Sequence, residues 1–121
     1  MKKILLLSLF TLAMLQISCS DDCENENPTV VLVNNGTNRA DIQIKTSGGN
    51  TENINNIEPG TSSEKRSFAR GDIEFTISIQ GVAENIVYVL PTDYCTAYAV
   101  TIKEDNTVSG SGEKLEKQNV L

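Results

Sequence analysis

The sequence predicts an all-β protein whose body is a single small antiparallel β-sandwich of about seven strands. Three observations predict it. From Thr29 onward, short apolar runs recur at roughly ten-residue spacing, each closed by Gly, Asn, Pro, Ser or Asp, which is the rhythm of strands and turns. In the clearest runs apolar and polar residues alternate, so one face of a pleated strand is apolar and the other wet. No segment of the body repeats its apolar residues at the 3.6-residue period of an amphipathic helix. Two packed layers let each such strand bury its one apolar face.

The elements follow in order. Thr29 to Val33 is β-branched and reads as a strand, and Asn34-Asn35-Gly36-Thr37-Asn38 as the turn after it. Ala40, Ile42 and Ile44 alternate with Asp41, Gln43 and Lys45, the pattern of a half-buried strand that Ser47-Gly48-Gly49-Asn50 ends. Ile54 and Ile57 mark a weaker segment that stops at Glu58-Pro59-Gly60-Thr61. Ser62 to Ala69 reads as a polar edge strand, and Arg70-Gly71-Asp72 as a turn. The strongest strand has Ile73, Phe75, Ile77 and Ile79 on one face and Glu74, Thr76, Ser78 and Gln80 on the other. Ile86 to Leu90 is almost continuously apolar up to Pro91 and predicts a buried strand. Tyr94 to Lys103 is another strand, Glu104-Asp105-Asn106 a turn, and Thr107 to Ser109 the start of a last strand. The body therefore spans 29–109. Residues 110–121 are rich in Gly, Ser, Glu and Lys and form a polar tail or a short edge element, with disorder or a short helix left open.

The N-terminus is different in kind. Lys2 and Lys3 precede the apolar run Ile4 to Leu15, interrupted only by Ser8 and Thr11, which is the anatomy of a secretory signal peptide. The run is shorter than the roughly 20 apolar residues a spanning helix needs. It ends in Leu15-Gln16-Ile17-Ser18-Cys19, which resembles the processing site of bacterial lipoproteins. Gln16 departs from the usual apolar residue there, in the manner of the relaxed sites of the Bacteroidota group. The resemblance implies removal of a signal peptide, residues 1–18, and lipidation of Cys19. Ser20-Asp21-Asp22 resembles the acidic signal that sends such lipoproteins to the cell surface, so residues 19–28 become a lipidated acidic tether. The implied address is the outer membrane, lipid-anchored and facing the cell surface, with the periplasm-facing leaflet as the alternative.

Cleavage after Ser18 leaves 103 of the 121 residues, and takes two of the 10 basic residues, so 8 face 16 acidic ones and the mature charge is −8. A chain this acidic repels phosphate backbones, which excludes nucleic acid as a partner. Membrane attachment then has to come from acyl chains, each buried methylene contributing about 0.8 kcal/mol. With Cys19 lipidated, Cys23 and Cys95 remain as a pair in an oxidising compartment, and a disulfide is expected. Zinc would need further Cys or His ligands, and the chain has no histidine.

The same missing histidine removes Ser-His-Asp and Cys-His catalysis. Glu58, Glu64, Asp72, Glu74, Asp93 and Asp105 could supply a carboxylate pair, but they fall at turns or on polar strand faces, where acids are simply solvated. Neither Glu104-Asp105-Asn106 nor Asp21, Asp22 and Glu24 has the spacing of a calcium loop. No metal and no cofactor is expected. Arg70-Gly71-Asp72 spells an integrin tripeptide and is better explained as a turn. Tyr88, Tyr94 and Tyr98 are expected to pack in the core, the alternative being an exposed surface for sugar or protein.

The late cysteine-bearing strand and Ile57-Glu58-Pro59-Gly60-Thr61-Ser62 between strands make the body similar to small immunoglobulin-like or transthyretin-like domains of such lipoproteins, though the chain has no tryptophan. The expected function is a non-enzymatic, membrane-anchored binding or accessory protein of the envelope, with a protein or glycan partner. An anchored inhibitor or immunity-type protein is the alternative, and a small hydrolase the third class.

Overall fold

A computed structural model describes residues 23–115. The signal peptide 1–18, Cys19, Ser20, Asp21 and Asp22 lie outside the described residues. The structure bears out the all-β sandwich. Its strands are β1 (Thr29–Asn34), β2 (Ala40–Lys45), β3 (Thr51–Ile57), β4 (Thr61–Ser62), β5 (Arg66–Ser67), β6 (Gly71–Ile79), β7 (Ile86–Thr92), β8 (Thr96–Ile102) and β9 (Val108–Lys114), with no helix among the described residues. One sheet has the order β4-β1-β8-β9, with β5 also on β1; the other has the order β3-β2-β6-β7.

The alternation read from the sequence is what the core is made of. Ala40, Ile42 and Ile44 of β2 and Ile73, Phe75, Ile77 and Ile79 of β6 are buried, while Asp41, Gln43 and Lys45 are exposed. Val30 and Leu32 of β1 and Val100 and Ile102 of β8 meet them from the facing sheet. Each fully buried Ile, Val or Phe contributes about 1.5–3 kcal/mol of transfer free energy, so these two pairs of central strands dominate the stability.

Four expectations change. The sandwich is not wholly antiparallel, because β1 pairs with β8 in parallel, Thr29 opposite Ala97 and Asn34 opposite Ile102. A parallel pair needs a long crossover, and here everything from β2 to β7 serves as one. The polar strand at Ser62 to Ala69 is two short pieces rather than one. Ser63 breaks the ladder: the Leu32 N–H donates to its Oγ at 3.0 Å, and its hydroxyl donates to the Glu64 carbonyl at 2.9 Å. The run Ile86 to Leu90 is not buried throughout. β7 ends its sheet, and Val87 and Val89 of its outer face are 57% and 50% exposed. Finally, the body runs past 109: of the alternatives left open for 110–121 the structure shows the edge element, because β9 pairs with β8 as far as Lys114 opposite Thr96.

That last strand shows why glycine stands where the composition left a polar tail or a short edge element open. A Cβ on Gly110 would lie 2.6 Å from Tyr88 Oη, and one on Gly112 would lie 2.7 Å from Tyr98 Cε1. Both rings lie against the core cluster, and the bare backbone of β9 is what admits them. Two of the three tyrosines are therefore core-packing residues, as expected.

The registers give the sandwich two poles. At one lie Cys23 to Asn27, the β2–β3 turn, Phe68 to Arg70 and the β7–β8 turn; at the other lie the β1–β2, β3–β4, β6–β7 and β8–β9 connections.

Candidate functional site

At the first pole Cys23 and Cys95 form a disulfide, with Cα atoms 5.9 Å apart and a sequence separation of 72. The β7–β8 turn is shaped for it. The Asp93 carboxylate accepts from the Tyr94 N–H at 2.8 Å, and Tyr98 Oη accepts from the Asp93 N–H at 2.9 Å. Thr96 Oγ1 donates to the Tyr94 carbonyl at 3.0 Å. These bonds carry Cys95 into a left-handed backbone, φ 56°, at a position only 6% exposed. A non-glycine residue pays of order 1 kcal/mol or more for that conformation, and the surroundings over-determine it: Cys95 N–H donates to Glu26 O at 2.8 Å, and Cys95 O accepts from Leu115 N–H at 2.7 Å. The segment entering β1 and the segment leaving β9 are thus both fastened to one residue.

Arg70 belongs to the same pole. Its guanidinium carbon lies 4.8 Å from the centre of the Tyr94 ring, and its Nη1 lies 3.6 Å from Asp93 Oδ1. The side chains are 53% and 63% exposed, so the ion pair is worth little, at most about 1 kcal/mol. Its effect is positional. Gly71 has φ +126° and a Cβ there would press on Ser47 Cβ at 2.7 Å, so Gly71 opens β6 rather than a presented Arg-Gly-Asp loop. Tyr94 stacks under Arg70 at the surface and is half-buried, not a core ring.

The opposite pole is held by amides. Asn34 is fully buried, at 0% exposure, and its polar atoms are satisfied. Its Nδ2 donates to Ile57 O at 2.7 Å and Asn38 O at 2.9 Å, and its Oδ1 accepts from Gly36 N–H at 2.8 Å. Its own carbonyl accepts from Gly60 N–H at 2.6 Å. One side chain therefore fixes the β1–β2 loop against the β3–β4 turn. Asn106 fixes the β8–β9 turn to the same loop: its Oδ1 accepts from Thr37 N–H at 3.0 Å and its Nδ2 donates to Thr37 Oγ1 at 3.0 Å. Asp105 closes that turn by accepting from Thr107 Oγ1 at 2.6 Å and Thr107 N–H at 3.1 Å, and these bonds hold its carboxyl below the ordinary value of 3.8. Loops on a rigid sandwich are where such folds place binding residues. This set is preorganised, with Thr37, Asn38, Lys103, Glu104 and Asp105 on its surface.

The structure thus joins Cys23 to Cys95 and leaves Cys19, Ser20, Asp21 and Asp22 outside the described residues. It scatters the candidate carboxylates. Glu58 and Asp105 are at the braced pole, Asp93 is at the stapled one, and Asp72 and Glu74 lie on the outer face of β6. Among the described residues no cluster of three or more acidic, Cys or His side chains could hold a metal. Asn34 and Asn106 were read only as turn residues. The signal available was that Asn sits at both, since Asn tolerates the φ of 66° seen at Asn106 and can bond neighbouring backbone. The chain matches no protein-family model, and no curated protein matches it in sequence.

Proposed function

We propose that this protein is a non-enzymatic, lipid-anchored binding or accessory protein of the bacterial outer membrane, held at Cys19 and probing its surroundings with the braced pole. The observation that carries the reading is the Cys23–Cys95 disulfide. Cys23 is four residues beyond Cys19, so a lipid on Cys19 would hold the stapled pole close to the bilayer. The chain along β1, β8 and β9 then carries the braced loops about 20 Å outward, at roughly 3.3 Å per residue. Ser20, Asp21 and Asp22 support surface display rather than the periplasm-facing leaflet, and the partner is a protein or a glycan that the loops contact.

The anchor is tested by Cys19→Ala. The variant is expected to lose all acyl labelling and to leave the membrane fraction, while keeping its disulfide and its melting behaviour. Acyl labelling that persists in the variant would show that the lipid, if any, is elsewhere.

A further inference from the structure

The four sheet edges of this sandwich are not protected alike. β3 carries Asn53, Asn55 and Asn56, shifts register against β2, and gives its Asn56 N–H to the Asp41 carboxylate at 2.7 Å. β4 and β5 are two residues each. β9 is rich in Gly and Ser and ends in Glu113-Lys114. These are the usual ways of discouraging a further strand. β7 has none of them between Ile86 and Leu90, where it reads Ile-Val-Tyr-Val-Leu.

Its backbone is also set to receive one. Gly71 N–H donates to Thr92 Oγ1 at 3.0 Å, so the Gly71–Thr92 pair has its polar groups turned toward each other. Pairs alternate along an antiparallel ladder. The next pair, Asp72–Pro91, is then non-bonded, as suits a proline without an N–H, and so are Glu74–Val89 and Thr76–Val87. Val87 and Val89 therefore direct their N–H and C=O groups to the free edge, and their side chains are the most exposed large apolar ones on the described surface.

Charge selects the occupant. From Gly71 to Tyr94 the chain holds Asp72, Glu74, Glu84 and Asp93 and no Lys or Arg. The cations nearby are already paired or set back: Arg70 lies 3.6 Å from Asp93, and Lys45 is one strand further in, opposite Glu74. A second copy pairing β7 with β7 would bring the flanking Glu84 and Asp93, and Asp72 and Glu74 of β6, onto one surface with the same acidic groups of the first copy. We propose that the free edge of β7 is a strand-addition site for an extended segment of a partner protein that carries Lys or Arg beside β-branched residues. Main-chain bonds to Val87 and Val89 would supply affinity, and the carboxylates of Asp72, Glu74 and Glu84 would select the basic side chains. The site is independent of how the protein is anchored.

The test uses the oxidised full-length protein and two labelled synthetic probes, an alternating valine–lysine peptide and an alternating valine–glutamate peptide. The basic probe is expected to bind in fluorescence anisotropy, about tenfold or more tighter than the acidic one, and to slow amide exchange at Val87 and Val89. Val89→Pro removes an edge N–H that no ladder bond uses, and should abolish binding without altering the melting temperature. Should that variant misfold, Val87→Lys combined with Val89→Lys blocks the edge by charge and must abolish binding of the basic probe. Equal binding of both probes, binding of neither, protection confined to other strands, or dimerisation of the protein through β7 would each overturn the proposal.

Discussion

At one pole of the sandwich a covalent bond reaches across 72 residues to fasten Cys23 to the turn before β8; at the other, the amides of Asn34 and Asn106 draw together the β1–β2, β3–β4 and β8–β9 connections. The two devices fail differently. A disulfide acts mainly by restricting the unfolded chain and answers to reductant. A buried amide acts in the folded state and answers to the identity of one side chain. A domain stapled at one pole and braced at the other can lose one device without losing the shape of the other pole.

The largest effect should come from the staple. Replacing Cys23 and Cys95 together with Ser should lower unfolding free energy by about 4 kcal/mol, the chain-entropy value for so long a loop, in denaturant melts. Amide exchange should rise at position 95 and at Leu115, whose bonds converge on the staple, and stay slow at Gly36 and Gly60. Loss of protection at both poles alike would break the comparison.

Asn34→Ala comes next. It orphans Ile57 O in a buried setting and Asn38 O and Gly36 N–H in part-buried ones, at a cost of about 1–3 kcal/mol for each group that water cannot reach. Total destabilisation of about 3 kcal/mol is expected from urea melts, with exchange rising first at Gly36 and Gly60. A variant as stable as the parent would mean that the brace is ornamental.

The smallest effect is at Asp105. Its carboxyl is lowered first by the Thr107 hydroxyl and then by the Thr107 N–H. A lowered folded value means that the turn gains from ionised Asp105 above the unfolded value of 3.8 and loses that gain as pH falls through the folded value. Thr107→Val should move the midpoint up toward 3.8, read by carboxyl carbon NMR, and change nothing in the neutral range. An unmoved midpoint would assign the shift to other groups.

How much of this was legible in the sequence follows from the range of the interactions. Strict alternation at Ala40 to Lys45 and Ile73 to Ile79 is local information, and both strands lie where it put them, with their apolar faces buried. The cysteine pair was legible because few partners were available. The run Ile86 to Leu90 was misleading because continuous apolarity fits a central strand or an exposed edge equally well. What makes β7 an edge is that β2, not any strand beyond β7, takes the other side of β6. Gly110 and Gly112 were read as part of a polar tail or a short edge element, since nothing local says that Tyr88 and Tyr98 will lie over them. Asn34 looked like a turn residue and is the last residue of β1; its burial under Ile57 and Gly60 depends on a β3–β4 turn more than twenty residues away.

The proposal that joins these points is one of polarity: stapled pole toward the bilayer, braced pole away from it. The most direct measurement places a fluorophore in turn at Lys114, the last residue of β9, and at Lys103, in the β8–β9 connection, on the lipidated protein in vesicles containing headgroup-quencher lipid. Strong quenching at Lys114 and little at Lys103 is the predicted result, the two sites being about 20 Å apart along β9 at roughly 3.3 Å per residue. Equal quenching at both, or stronger quenching at Lys103, would contradict it.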